Sequence, residues 1–155
     1  MAADPGGLTL RGDEADAVAD TCEAFAAALP PARAERFLQV AAQARAGVIA
    51  PDRLEDLQRV CAAALETGRA RRAGTAESER LLAAVYRRTP AGSEQAAQLA
   101  EVNAALARLA GRSLRSVSVA APVPGRYRLH LALDGADLTV DLEPQAVTVS
   151  RLEAG

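Results

Sequence analysis

His130 is the only histidine of the chain, and it falls on the polar side of an alternating segment close to Asp141 and Glu143. A carboxylate that orients an imidazole is the arrangement of a general base, and the titration range of histidine suits that work. Its position argues for a structural role instead. It lies in mid-strand opposite Thr139, on a solvated face with no cleft-forming loop beside it. One histidine and two cysteines, Cys22 and Cys61, on separate helical segments cannot form a Cys/His zinc set. Asp13, Glu14, Asp16 and Asp20 cluster, but acids in the first turns of a helix act as caps and complement its dipole. Both cysteines fall on apolar helix faces and read as buried free thiols. Gly6-Gly7 precedes no lysine, and no G-x-G-x-x-G occurs. The tripeptide Arg11-Gly12-Asp13 is too short to carry weight. The sequence thus nominates no catalytic residue, no metal ligand and no cofactor, and leans away from an enzyme.

Charge is the feature above background. All eighteen basic residues are arginine, which removes Schiff-base and lysine-based phosphate chemistry. Residues 1–68 hold six arginines against eleven acids, residues 69–128 hold eleven against four, and residues 129–155 hold one against five. Within the basic middle, Arg69, Arg71, Arg72, Arg87 and Arg88 are the most concentrated and are the candidate partner-binding residues. The acidic flanks can neutralise them internally, and the stretch lacks the aromatic residues that stack bases. Nucleic acid is therefore the less favoured partner.

A chain of 155 residues fits one domain and can bury a conventional core without staples. With two Phe, two Tyr and no Trp, that core must be made of many Leu, Val and Ala contacts. No apolar run approaches the ~20 residues of a bilayer span, and Met1 to Gly12 lack signal-peptide features. The expectation is a cytoplasmic protein without a membrane partner.

The elements that must position these residues fall into two groups. Residues 1–12 read as a flexible N-terminus. Asp13 offers an N-cap to a first helix with the stripe Val18, Cys22, Phe25 and Leu29. Pro31 opens a second, carrying Phe37, Leu38, Ala41 and Ala44 and ending at Gly47. Val48 and Ile49 would supply the apolar contact of its C-cap. Pro51 opens a third, with Leu54, Leu57, Cys61, Ala64 and Leu65; Thr75 caps a fourth, with Leu81, Leu82, Val85 and Tyr86. A fifth runs from about Ser93 to Ala110, and Leu99, Val102, Leu106 and Leu109 form its apolar seam.

Strict alternation then gives strands. Val117 and Val119 share one face of Leu114 to Ala121; Leu129, Leu131 and Leu133 alternate with polar partners; so do Leu138, Val140 and Leu142, and finally Val147 and Val149. Asp134-Gly135 signals a type I′ hairpin. That register sets Leu131 opposite Leu138, Leu129 opposite Val140, Arg128 opposite Asp141 and Arg126 opposite Glu143, pairing apolar with apolar and cation with anion.

The expected fold is α+β: a bundle of about five helices over 13–110, then a four-stranded antiparallel meander over 114–151 with the last helix packed on it, as a single domain 13–155. The expected function is a non-catalytic protein–protein interaction or assembly module, an adaptor or self-associating subunit, with unpaired strand edges able to accept a partner. The alternatives are a nucleic-acid or polyanion binder through the arginine-rich 69–128 segment, and a small-molecule binder or enzyme with a pocket between helices and sheet.

Overall fold

The structure, a computed structural model, describes residues 6–68, 75–143 and 146–154. Arg69, Arg71 and Arg72 lie outside the described residues. The chain divides into two compact units, Met1–Gly92 and Ser93–Gly155.

The first unit is helical. Among the described residues its helices are α1 (Gly12–Ala26), α2 (Pro31–Arg45), α3 (Leu54–Glu66, entered through a short turn at Pro51–Arg53) and α4 (Ala76–Tyr86). Helix α1 starts one residue before the expected cap at Asp13. The Arg11 N–H donates to Glu14 Oε2 at 3.0 Å, so the carboxylate satisfies a donor just ahead of the first turn. Thr75 caps α4 as its residue type predicts, its hydroxyl accepting from the Ser78 N–H. Gly47, at φ 80°, closes α2 in the left-handed conformation that favours glycine. Val48 and Ile49 then do more than pack on a cap. They form β2 and pair antiparallel with β1, Leu8 and Thr9, so the segment ahead of α1 carries a short strand.

The predicted stripes meet in one core around Val18, Cys22, Phe37, Leu57, Cys61, Leu82 and Val85. Phe25 and Phe37 meet edge to face with ring centroids 4.9 Å apart. Leu38 is the exception: it is exposed, and Val40 fills the core in its place. Asp56 is buried among apolar residues and keeps its charge partnered by Arg36, with Arg53 Nη1 3.8 Å away.

The second unit is α+β. Helix α5 spans Pro90–Ala107 and is followed by β3 (Leu114–Val123), β4 (Arg126–Leu133), β5 (Ala136–Glu143) and β6 (Ala146–Ala154). The strands form one antiparallel sheet in the order β3-β4-β5-β6. The pairs Leu131–Leu138, Leu129–Val140, Arg128–Asp141 and Val140–Val149 are those the alternation requires. The Asp134-Gly135 turn differs in type. Only Gly135 has positive φ, at 70°, whereas type I′ needs it at both central positions. The first strand runs past Ala121 through Pro122, which an edge strand tolerates because a proline there removes no ladder bond.

Val102, Ala105 and Leu109 of α5 pack on Ala136, Leu138 and Val140. The helix thus rests on the sheet, as its apolar character demands. Its seam is divided, however. Val102 and Leu109 are buried, while Leu99 and Leu106 are exposed. The expectation that all four bury together is corrected by the tilt of the buried row, which Ala105 completes in place of Leu106.

Candidate functional site

The polar side of the sheet is internally neutralised. Arg128 Nε donates to Asp141 Oδ1 at 2.6 Å, Arg126 lies 3.3 Å from Glu143, and His130 Nδ1 is 3.2 Å from the Thr139 hydroxyl with Asp137 3.7 Å from Nε2. The Arg128 guanidinium holds the Asp141 carboxyl below its usual range, assisted by the Ser150 hydroxyl. His130 therefore sits in a half-exposed row of paired side chains on a flat strand, a setting that offers no substrate cleft. Among the described residues no three His, Cys, Asp or Glu side chains converge on a metal position. Cys22 and Cys61 are buried, and burial pushes both thiols up to about 12. They carry no thiolate near neutral pH and are not nucleophiles.

Of the candidate arginines within the described residues, Arg87 follows directly on α4 and Arg88 is committed to the fold. Arg88 Nη1 donates to the Thr9 carbonyl at 3.0 Å and Nη2 to Glu14 Oε2 at 2.6 Å, tying the end of α4 to β1 and to the start of α1. Burial alone would raise the Glu14 carboxyl, but the Arg11 N–H and the Arg88 guanidinium together hold it below 4.5. A lowered carboxylate adds stability above its unfolded value and loses it as pH falls through the folded one. Arg88→Ala is expected to cost about 1–3 kcal/mol at neutral pH. The difference from the parent should begin to shrink as pH falls below 4.5 and go on shrinking through the lower folded value of Glu14; urea melts at neutral and acid pH measure it.

What stands open is apolar. Every residue of β3 is exposed, and Val119 retains 64% of its accessible surface. Val117 and Val119 pair with Leu131 and Leu129, so they share the sheet face on which α5 lies. The helix covers β5, where Leu138 is wholly buried, and leaves the β3 end of that face bare. Tyr127, on the same face of β4, is also exposed.

Helical geometry decides which way the two exposed leucines of α5 look. Gln98 Oε1 accepts from the Val147 N–H at 3.3 Å, and Arg112 donates to the carbonyls of Asp134 and Gly135, so α5 runs from the Val147 end of the sheet to the β4-β5 turn. The two-residue turn makes Leu129–Val140 a hydrogen-bonded pair. The chirality of the residues then puts β3 on the left when the sheet is seen from the helix side with α5 running upward. At 100° per residue Leu99 and Leu106 stand about a quarter-turn beyond the buried row, and the right-handed sense of the helix carries them to that left side. Glu94, Glu101 and Arg108 fall on the opposite flank. Leu99 and Leu106 thus form one wall, and Val117 and Val119 the floor, of a single uncharged trough.

The sequence placed Leu99 and Leu106 in the buried row. The signal that α5 and β3 have more apolar surface than one helix–sheet contact uses is the scarcity of charge: α5 carries only Glu94 and Glu101 among its eighteen residues, and β3 only Arg115 among its ten. No protein-family model, no curated protein and no solved structure matches the chain.

Proposed function

We propose that the chain is a non-catalytic interaction module whose working surface is the trough between α5 and β3. The observation that carries this reading is the exposure of five large apolar side chains, Leu99, Leu106, Val117, Val119 and Tyr127, on the helix-bearing side of a sheet whose opposite, polar face has its charges already paired. Soluble domains seldom leave such a face in water unless something covers it. The edge strand β3 adds to the case. Its edge is interrupted by Pro122 and by register shifts near Ser116 and after Ala120, but Ser116 to Val123 carries no charge. A solvated or self-neutralised arginine-rich middle is consistent with this reading, because Arg88 is engaged within its own unit.

Photo-crosslinking in cells tests it. A benzophenone side chain at Val119 should give a discrete covalent adduct, and the same group at Ser118, which pairs with His130 on the polar face, should give none. Absence of an adduct from Val119, or equal adducts from both positions, overturns the reading.

A further inference from the structure

We infer that the occupant of the trough is a second copy of this chain, and that its α5 fills the trough while the first copy's α5 fills the equivalent trough in return. This rests on the reading of the trough as the working surface and goes beyond it by naming what covers it.

Width and length set the first condition. Strands lie about 4.8 Å apart, so the part of the sheet beyond β5 on this side, with β4 half-buried from Leu129 to Leu133 and β3 exposed throughout, is roughly 10 Å wide, the diameter of one helix. An eighteen-residue helix is about 27 Å long, close to the ~27 Å of an eight-residue strand such as β4. The missing cover is therefore one helix of the size of α5.

Chemistry sets the second. A helix entering this trough must be apolar on two sides, one against the sheet and one against Leu99 and Leu106. Helix α5 has such surfaces to spare. Opposite its buried row stand Ala96, Ala100, Ala104 and Ala107, all exposed, and Leu99 and Leu106 flank them. Small side chains permit close approach to a sheet, and neither surface carries a charge to desolvate. A helix that is uncharged over most of its circumference belongs in an interior. One sheet supplies only one side of that interior.

Symmetry supplies the other side without strain on either feature. A two-fold axis parallel to α5, placed between the two helices, turns the second sheet to face the first across a central layer holding both helices. Each alanine row then lies on the partner's Val117 and Val119, and Leu99 and Leu106 meet their own counterparts along a parallel seam with the seven-residue spacing that such seams use. The buried surface comprises three strips of about 27 by 10 Å, each counted on both partners, or roughly 1,600 Å², the standard size of a stable interface.

The full-length protein in solution tests this. At micromolar concentration its sedimentation mass should be twice 16.1 kDa. Ala100→Arg introduces a good helix former at an exposed site, so it should keep the helical circular dichroism of the parent and halve the mass. Glu101→Arg, on the flank away from β3, should remain dimeric. Facing positions of parallel helices packed about 10 Å apart lie roughly 5–6 Å apart at Cα, within disulfide reach. Leu106→Cys should therefore form an intermolecular disulfide under mild oxidation and Glu101→Cys should not, while buried Cys22 and Cys61 stay silent. A monomeric parent overturns the inference, as does a dimer that survives Ala100→Arg or fails to join through Leu106→Cys. If the parent is monomeric while Val119 still yields a discrete adduct in cells, the working surface stands and its occupant is a different protein. If Val119 yields no adduct, the surface itself has been misassigned.

Discussion

Leu138→Asp is expected to unfold the Ser93–Gly155 unit, whereas Leu106→Glu leaves it folded. Leu138 has no accessible surface and lies on β5 beneath Val102, Ala105 and Leu109, with Leu131 beside it across the β4 ladder. An aspartate there places a carboxylate among apolar side chains with no cation to meet it. That costs several kcal/mol, against a total stability of about 5–15 kcal/mol for a whole domain. Truncation alone, Leu138→Ala, should cost about 2–5 kcal/mol through lost burial and the cavity left behind. Leu106 is the informative comparison because it belongs to the same heptad-like row in sequence as Val102 and Leu109, which cover Leu138. Its side chain is exposed in the single chain, so a glutamate there meets water. His130→Ala should also be mild, since it trims one half-exposed hydrogen bond to Thr139. Far-UV circular dichroism and thermal melts of the four variants decide the matter. A folded Leu138→Asp beside an unfolded Leu106→Glu would mean that α5 presents a different face to the sheet.

Gly92→Ala is expected to destabilise the protein by about 1–3 kcal/mol or more, the opposite of what helix propensity dictates. Gly92 is the third residue of α5, where alanine is ordinarily preferred by up to ~1 kcal/mol. The reason for the reversal is the chain just before it. Thr89 is buried, its hydroxyl donates to the Tyr86 carbonyl at 2.7 Å, and it accepts from the Gly92 N–H at 3.3 Å, so the chain from Tyr86 to Gly92, all within the first unit, turns tightly on itself. A Cβ on Gly92 would run into the Tyr86 carbonyl oxygen and lie 2.7 Å from Arg87 Cα. Both obstacles are backbone and cannot rotate aside. Each kcal/mol lost should lower the melting temperature by roughly 4–8 °C for a unit of 60–100 residues. An unchanged or raised melting temperature would show that the Tyr86–Gly92 turn is more open than this.

The strands of the second unit were legible because their period of two is unmistakable and because Asp134-Gly135 pins the register, so a one-residue slip would expose every leucine. The helices were legible from caps and stripes, with boundaries moved by a few residues where a neighbouring group competed. At α1 the cap falls at Arg11 rather than at Asp13, and the Glu14 carboxylate accepts from the Arg11 N–H. Two-residue strands such as β1 and β2 have no periodicity to read; their pairing depends on the chain returning to the same place after α2. The arginine cluster looked like the site because local charge density is a sequence property. That Arg88 is spent on Thr9 and Glu14, 79 and 74 residues away in the chain, is not.

By itself, then, the sequence determined which residues could be apolar neighbours: the period-two faces of the sheet, the stripes of the helices, and the lack of any convergent set of catalytic groups. Only the tertiary structure decided which of those apolar residues remain uncovered. Leu99, Val102, Leu106 and Leu109 are equivalent in spacing, and the orientation of one helix on a sheet wider than itself buries two of them and leaves the other two in the open. Burial is a property of the space between elements, and a single helix about 10 Å across cannot cover four strands spaced about 4.8 Å apart.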